Sequence, residues 1–195
     1  LIVKTARVSA PQNEDNLATG PRLLKYLIRH KHWSPFEMAN MCLEIHTQRD
    51  ISAQIIRHRS FSFQEFSQRY AETEQARIPK FRRQDSRNRQ NSIDDLTEEQ
   101  IDLLEELTYK HIKEGYELYQ TMLEMGVAKE TARRHLPMCS PTRIYMNGTL
   151  RSWIHYIDLR TDPGTQWEHR TIANQAKIIF EQNFPVISEA LWYET

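Results

Sequence analysis

Apolar residues recur at helical spacing from Pro21 to His30, where Leu23, Leu24, Leu27 and Ile28 share a face and Pro21 suits a first turn. His32-Trp33-Ser34-Pro35-Phe36-Glu37 interrupts that pattern, because Pro35 biases Ser34 away from helix. Met41, Leu43, Ile45 and Thr47 then alternate with Asn40, Cys42, Glu44 and His46, the two-residue period of a half-buried strand. Ile51, Ile55 and Ile56 predict a short helix with Gln54 and Arg57 on one face. Glu65, Ser67 and Arg69 again have period two, so an extended segment is expected to aim all three at one ligand.

Residues 77–92 carry Arg77, Lys80, Arg82, Arg83, Arg87 and Arg89 with almost nothing apolar, and a long loop is expected. Thr97-Glu98-Glu99-Gln100 has the form of a capping box, and Ile101, Leu104, Leu107, Ile112, Leu118, Met122 and Leu123 follow as a long amphipathic helix that Gly126 stops. A short helix is expected from Lys129 to His135, ending before Pro137. A strand around Arg143–Met146 is expected to lead through Asn147-Gly148 into a helix over 150–159. After Asp162-Pro163-Gly164, a last helix runs from about Gln166 to Asn183. No regular βαβ alternation appears, so the expectation is a single α+β domain over residues 1–195, a central antiparallel sheet packed by long helices.

Composition narrows the function classes. Lys plus Arg equals Asp plus Glu at 26 each, so no global charge recruits nucleic acid or a membrane. Cys42 and Cys139 are far apart without CxxC spacing, which favours free thiols in a reducing compartment. No apolar run approaches the roughly 20 residues of a membrane span, and no signal peptide is visible. A soluble protein of the cytoplasm is expected. The chain opens on Leu1, so the natural N-terminus is expected to lie upstream.

The densest chemistry lies in Arg57-His58-Arg59-Ser60-Phe61-Ser62-Phe63-Gln64-Glu65-Phe66-Ser67-Gln68-Arg69-Tyr70. Arginine grips phosphate or a planar heterocycle in bidentate fashion, and phenylalanine offers a surface on which rings rest. The stretch reads as a site for something anionic, flat and polar-edged. Arg-His-Arg followed after seven residues by Ser67 resembles the signature of the flavin-dependent thymidylate synthases. His32 to Glu37, Ala132-Arg133 before Leu136-Pro137, and Leu159-Arg160 followed by Gln166-Trp167-Glu168 resemble further blocks of that family, in order along the chain.

The resemblance implies a homotetramer with shared active sites that binds FAD and makes dTMP from dUMP. Methylenetetrahydrofolate would supply the carbon and NADPH the reducing equivalents, without a metal, nucleic acid or membrane partner. By position, it implies FAD contacts at His32, Ser34, Glu37, Arg57, His58, Arg59, Glu65, Thr149, Arg151 and His155. The implied dUMP contacts are Gln54, Arg57, Glu65, Phe66, Ser67, Gln68, Arg69, Arg133 and Arg160. Arg160, beside an apolar helix, suits the cation that draws off the N3 proton of uracil and pushes electron density to C5, since it stays charged when partly desolvated. Ser67 is the second candidate catalytic residue, as a hydrogen-bond partner of dUMP; no general base accompanies it for nucleophilic attack. Protonation of His58 is disfavoured between two arginines, so flavin contact is its expected role.

Three departures stand out: Gln64 replaces the family's usual Asn, Thr149 a frequent Asn, and Gly164 a His found in many members. Two rival readings remain open at this stage. Cys139 would be the nucleophile of a cysteine-dependent thymidylate synthase, although Ser140 stands where that motif has His. The arginines between Arg77 and Arg89, with Phe61, Phe63 and Phe66, would suit an RNA-binding module that works by charge and stacking.

Overall fold

In the computed structural model, which describes residues 1–193, a three-stranded antiparallel sheet holds the centre. Strand β1 (Asn40–Gln48) pairs with β5 (Pro141–Thr149) along its whole length, and β2 (Ser62–Glu65) pairs with the other edge of β5. The spatial order is β1-β5-β2. Alternation explains the burial: Met41 and Ile45 of β1 and Thr142, Ile144, Met146 and Gly148 of β5 face the core. The opposite face carries Glu44, Arg143 and Tyr145, with the Tyr145 hydroxyl and the His46 ring both hydrogen-bonded to the Glu44 carboxylate.

Helices cover the inner face. Helix α2 (Gly20–Arg29) contributes Leu24 and Leu27, and α6 (Leu150–Arg160) contributes Leu150, Trp153, Ile154, Tyr156 and Ile157. Helix α7 (Trp167–Asn183) adds Ala173, Ala176 and Phe180. The indole N–H of Trp153, fully buried, donates to the Met41 carbonyl at 2.8 Å, so the sheet edge and α6 share a satisfied polar contact inside the core. Helix α3 (Arg49–Ile55) closes the end of the sheet with Ile51 and Ile55. Helix α1 (Ile2–Ala6) and α8 (Pro185–Ser188), for which the sequence offered no clear signal, pin Ile2 and Ile187 to the same core.

Several expectations are corrected. The strand expected around Arg143–Met146 is longer, running from Pro141 to Thr149 with Asn147-Gly148 inside it; it passes into α6 without a loop, and Thr149 caps α6 by accepting from Ser152 N. The period-two reading of residues 65–69 ends at Phe66, whose N–H still reaches Arg143 O at 2.8 Å. Beyond it, Tyr70 N and Ala71 N both bond Ser67 O, a turn that ends the extended run, and Arg69 pairs with Glu130 while Glu65 pairs with Arg49. The basic segment is not a plain loop either: β3 (Arg83–Gln84) pairs with β4 (Ser92–Ile93), and Asp85 gathers the backbone N–H groups of Arg87 and Asn88.

The long helix α4 (Glu98–Glu124) forms as expected, with both halves of its capping box made and Gly126 at φ 81° beyond its end. Its position differs from the expectation. It leans chiefly on α5 (Lys129–Ala132) and the tight turn Arg133–His135 rather than over the sheet, burying Ile112 and Tyr119. Gly115 permits this, since a β-carbon there would lie 3.1 Å from His135 O.

Phe61 sits directly on the backbone of Gly148, where an added β-carbon would come within 2.4 Å of its ring. Gly148→Ala should therefore destabilise the fold by about 1–3 kcal/mol, read as a lower urea midpoint with an unchanged m-value. An unaltered midpoint would show that the ring is free to move aside.

Candidate active site

The Arg57–Phe61 segment leaves α3 and folds against α6. Phe61 packs edge-to-face on Trp153 (5.0 Å between centroids, 80°), and His58 packs the same way on Tyr156 (4.9 Å, 80°). With Phe61 buried and His58 half-buried, Arg57 and Arg59 are left exposed on either side of His58. Neither guanidinium has a carboxylate partner among the described residues, in contrast to Arg151, which pairs with Glu37 at 2.5 Å.

The first cavity, about 460 Å³, is lined by Trp33, Glu37, Ser60, Arg151, Ser152, Ile154, His155 and Asp158. Its near wall depends on how α2 ends. His32 N bonds Leu27 O and Lys31 N bonds Ile28 O, closing a Schellman cap with Lys31 at φ 56°. This reversal, unusual for a residue with a β-carbon, sends the chain into the tight turn Ser34–Glu37 and delivers Trp33 and Glu37 to the cavity. The far wall is the solvent face of α6, where Arg151, His155 and Asp158 follow one another at helical spacing. His32 and Ser34 are exposed beside this wall, and Thr149 is occupied in capping α6.

A second cavity of about 490 Å³ lies at the C-terminal end of α6, lined by Gln54, Gln90, Asp158, Leu159, Arg160, Asp162, Gly164, Thr165 and Gln166. Asp158 borders both cavities. Gln54 donates to Gln166 Oε1 at 2.6 Å across its floor. Arg160 is half-buried, and its Nε donates to His58 Nε2 at 2.8 Å. Gln90 comes from the basic ribbon, so that segment reaches the cavity that holds Arg160.

The remaining predicted residues sit elsewhere on the chain. Glu65 is held in the sheet frame: Arg49 lies 2.6 Å from its Oε1, which also accepts from Ser52 at 2.7 Å and Thr142 at 3.0 Å. Phe66 is half-buried and Gln68 is buried, with its Nε2 lacking a partner among the described residues. Arg69 pairs with Glu130 of α5 at 3.0 Å, and Arg133 follows α5 directly. Ser67, Arg69 and Arg133 line neither cavity. One chain thus brings the two cavities together along α6 and holds the Ser67–Arg133 group at a separate place.

Among the lining residues, Trp33, Ser60 and Gln90 lie inside segments that the sequence motifs marked, whereas Ser152 and Asp158 carried no signal, since neither belongs to a charged or spaced motif. Tyr156 and His169, both fully buried, form a hydrogen-bonded pair (3.2 Å) behind His58, visible only once α6 and α7 are packed together. Cys139 lines a third, smaller cavity with His46, Glu74 and Arg77, apart from Arg160; burial, with Asp50 nearby, pushes its thiol above the ordinary value. That disfavours the thiolate a nucleophile requires. No helix among the described residues is long and apolar enough to cross a membrane.

The chain matches the family described as thymidylate synthase complementing protein over residues 1–186. A probable flavin-dependent thymidylate synthase of Paramecium bursaria Chlorella virus 1 is 53% identical over 98% of this chain and 89% of its own length. A flavin-dependent thymidylate synthase of Synechocystis sp. is 48% identical, over 98% and 88%. Among solved structures, a UMP/dUMP methylase of Streptomyces cacaoi bound with 5-Br dUMP superposes with a TM-score of 0.87 at 26% identity, covering 97% of this chain and 87% of that one.

His58 and His169 are the most perturbed bases here. Burial first, then the Arg160 charge and a neighbouring histidine, push each down from 6.5 to about 4. An unfolded histidine takes up its proton near pH 6.5, whereas these resist until about pH 4, so the unfolded chain binds more protons in that window and stability rises with pH across it. The urea midpoint should therefore fall as pH drops from 7 towards 4.5. His169→Gln should fall less steeply; an equal slope in the variant would remove His169 as a cause.

Proposed function

Because the chain belongs to the thymidylate synthase complementing protein family, we propose that it converts dUMP to dTMP by flavin-dependent reductive methylation, with 5,10-methylenetetrahydrofolate as carbon donor and NADPH as reductant. The observation that carries this reading is the full-length match to flavin-dependent thymidylate synthases, together with an arginine placed in a cavity at the end of α6. The donor set fits FAD: Arg57 and Arg59 have no carboxylate partner among the described residues, Arg151 faces the first cavity, and Trp33 offers a ring beside it. Bound and reduced, the flavin supplies reducing equivalents to the methylation.

The chain's own residues do the rest. Arg57, Arg59 and Arg151, with His155, grip the pyrophosphate-bearing cofactor by charge-assisted hydrogen bonds. His32, Ser34 and Glu37 border the same place, and Glu65 and Thr149 hold the strand and helix beneath it. Arg69 and Arg133 take the nucleotide phosphate, with Gln54, Phe66, Ser67 and Gln68 orienting the rest of dUMP. Arg160 faces the N3/O2 edge of uracil, where a fixed positive charge stabilises the anion that forms on loss of the N3 proton and raises electron density at C5. Ser67 donates a hydrogen bond and forms no covalent intermediate.

Assembly into a homotetramer completes this arrangement, because Arg69 and Arg133 lie away from the cavities of their own chain. Helix α4 supports it. At 100° per residue, Ile112 and Tyr119 point inward while Leu103, Leu107 and Leu118 cluster on the opposite side, 44–57% exposed. An apolar stripe on the outside of a helix already packed on its inside is a surface for another subunit.

NADPH-dependent methylation of dUMP should require both FAD and methylenetetrahydrofolate when each is omitted in turn, and Cys139→Ala should keep substantial turnover. Flavin-independent turnover, or loss of the chemical step in a folded Cys139→Ala protein, would reverse the assignment. The Leu103→Glu, Leu107→Glu double variant should sediment as smaller species with reduced activity. Unchanged sedimentation would place the interface elsewhere.

A further inference from the structure

Arg160 is held by a residue to which the proposed reaction gives no step. Its Nε–H donates to Nε2 of His58 at 2.8 Å, which requires an unprotonated Nε2 and places the imidazole proton on Nδ1. The ring is steered from three sides: Tyr156 at 4.9 Å and 80°, Phe61 at 6.4 Å and 84°, His169 at 6.3 Å and 89°, all edge-on. Tyr156 and His169 are themselves joined at 3.2 Å and fully buried, so the surface behind His58 is rigid.

The consequence for the guanidinium is geometric. With its Nε–H engaged, Arg160 cannot offer the edge formed by Nε and one terminal nitrogen. The N–H groups left are those of Nη1 and Nη2, and their end-on fork makes two parallel hydrogen bonds to a pair of adjacent acceptors. The N3 and O2 atoms of a uracil anion are such a pair.

We propose that His58 is a positioning residue: a neutral acceptor, clamped edge-on by Tyr156 and His169, that fixes Arg160 so that its end-on fork faces the pyrimidine. This rests on the reading of Arg160 as the group that polarises dUMP. The charged and titratable groups around the ring are Arg160, His155, Tyr156 and His169, with Arg57 and Arg59 on its own segment. Burial and the Arg160 charge keep the imidazole unprotonated down to about pH 4, so the acceptor persists through the neutral range.

The test uses the FAD-loaded enzyme. His58→Ala, assayed at saturating FAD, should lower kcat by about 100-fold, the scale expected for a misplaced catalytic group. His58→Gln, whose amide oxygen also accepts, should recover most of the loss. Introduced into Arg160→Ala, the same His58→Ala change should cost less than about threefold more, because its effect runs through the missing arginine. Multiplicative losses in the double variant, or lost FAD with kcat preserved, would overturn the proposal. A ligand-free readout stands apart from turnover: the Nε–H proton of Arg160 should exchange slowly by NMR in the native and Gln forms and rapidly in the Ala form. Rapid exchange in the native protein would refute the clamp itself. Slow exchange in a protein unable to methylate dUMP would refute the functional reading, and with it the role of His58 in turnover.

Discussion

The contact of Phe61 with Gly148 is the constraint on which the site depends. A ring resting on bare strand backbone brings the segment after α3 against the C-terminal end of β5, closer than any residue with a β-carbon allows. From that anchor the chain lays Phe61 on Trp153 and His58 on Tyr156, both on the inner side of α6. The basic segment thus gains its geometry from aromatic packing rather than from its charges. Repulsion between Arg57 and Arg59 is relieved by solvent, since the His58 ring between them packs inward on Tyr156 while both arginines are exposed.

Helix α6 divides its two sides between folding and chemistry. Leu150, Trp153, Ile154 and Ile157 recur at the spacing of an apolar stripe and are all but fully buried. Arg151, His155 and Asp158 line a cavity on the other side, and Arg160 terminates the helix, where a cation is also favoured by the helix dipole. Direct passage from β5 into α6, capped by Thr149, removes the loop that would otherwise let this helix rotate against the sheet. Fixing the helix fixes both cavities, because Asp158 borders each.

Periodicity made the regular elements legible: β1 from Met41 to Thr47, α4 from its capping box and Gly126, and α7 from the Asp162-Pro163-Gly164 turn. It ended the strand near Met146 because Asn147-Gly148 carries no apolar side chain to continue the alternation, and the Phe61 ring, distant in sequence, explains a glycine near the strand's end. It misread residues 67–70 because alternation of polar residues carries no burial information. Ser67 follows Phe66 out of the ladder into a turn that docks on α5 through Arg69 and Glu130. Of the residues the motifs named, Glu37, Arg151 and His155 line one cavity and Gln54 and Arg160 the other. Asp158 and the Tyr156–His169 pair were invisible, since each matters only through what the packing sets beside it.

A chain of zero formal charge can still bind an anionic cofactor and an anionic nucleotide if its cations are sorted by partner. Arg49 is committed to Glu65, and Arg83 to Asp95, each within 2.6 Å, and these stabilise local frames. Arg57 and Arg59 have no such carboxylate among the described residues, and Arg160 is paired with a neutral imidazole in place of a carboxylate. That last choice matters physically. A carboxylate on Arg160 would orient it equally well but would cancel the charge the pyrimidine needs, whereas an imidazole kept neutral by burial orients the guanidinium and leaves its positive charge intact. Polarisation of the base by an uncompensated cation is an alternative to attack by a thiol, and the elevated, remote Cys139 thiol fits a protein built on the former.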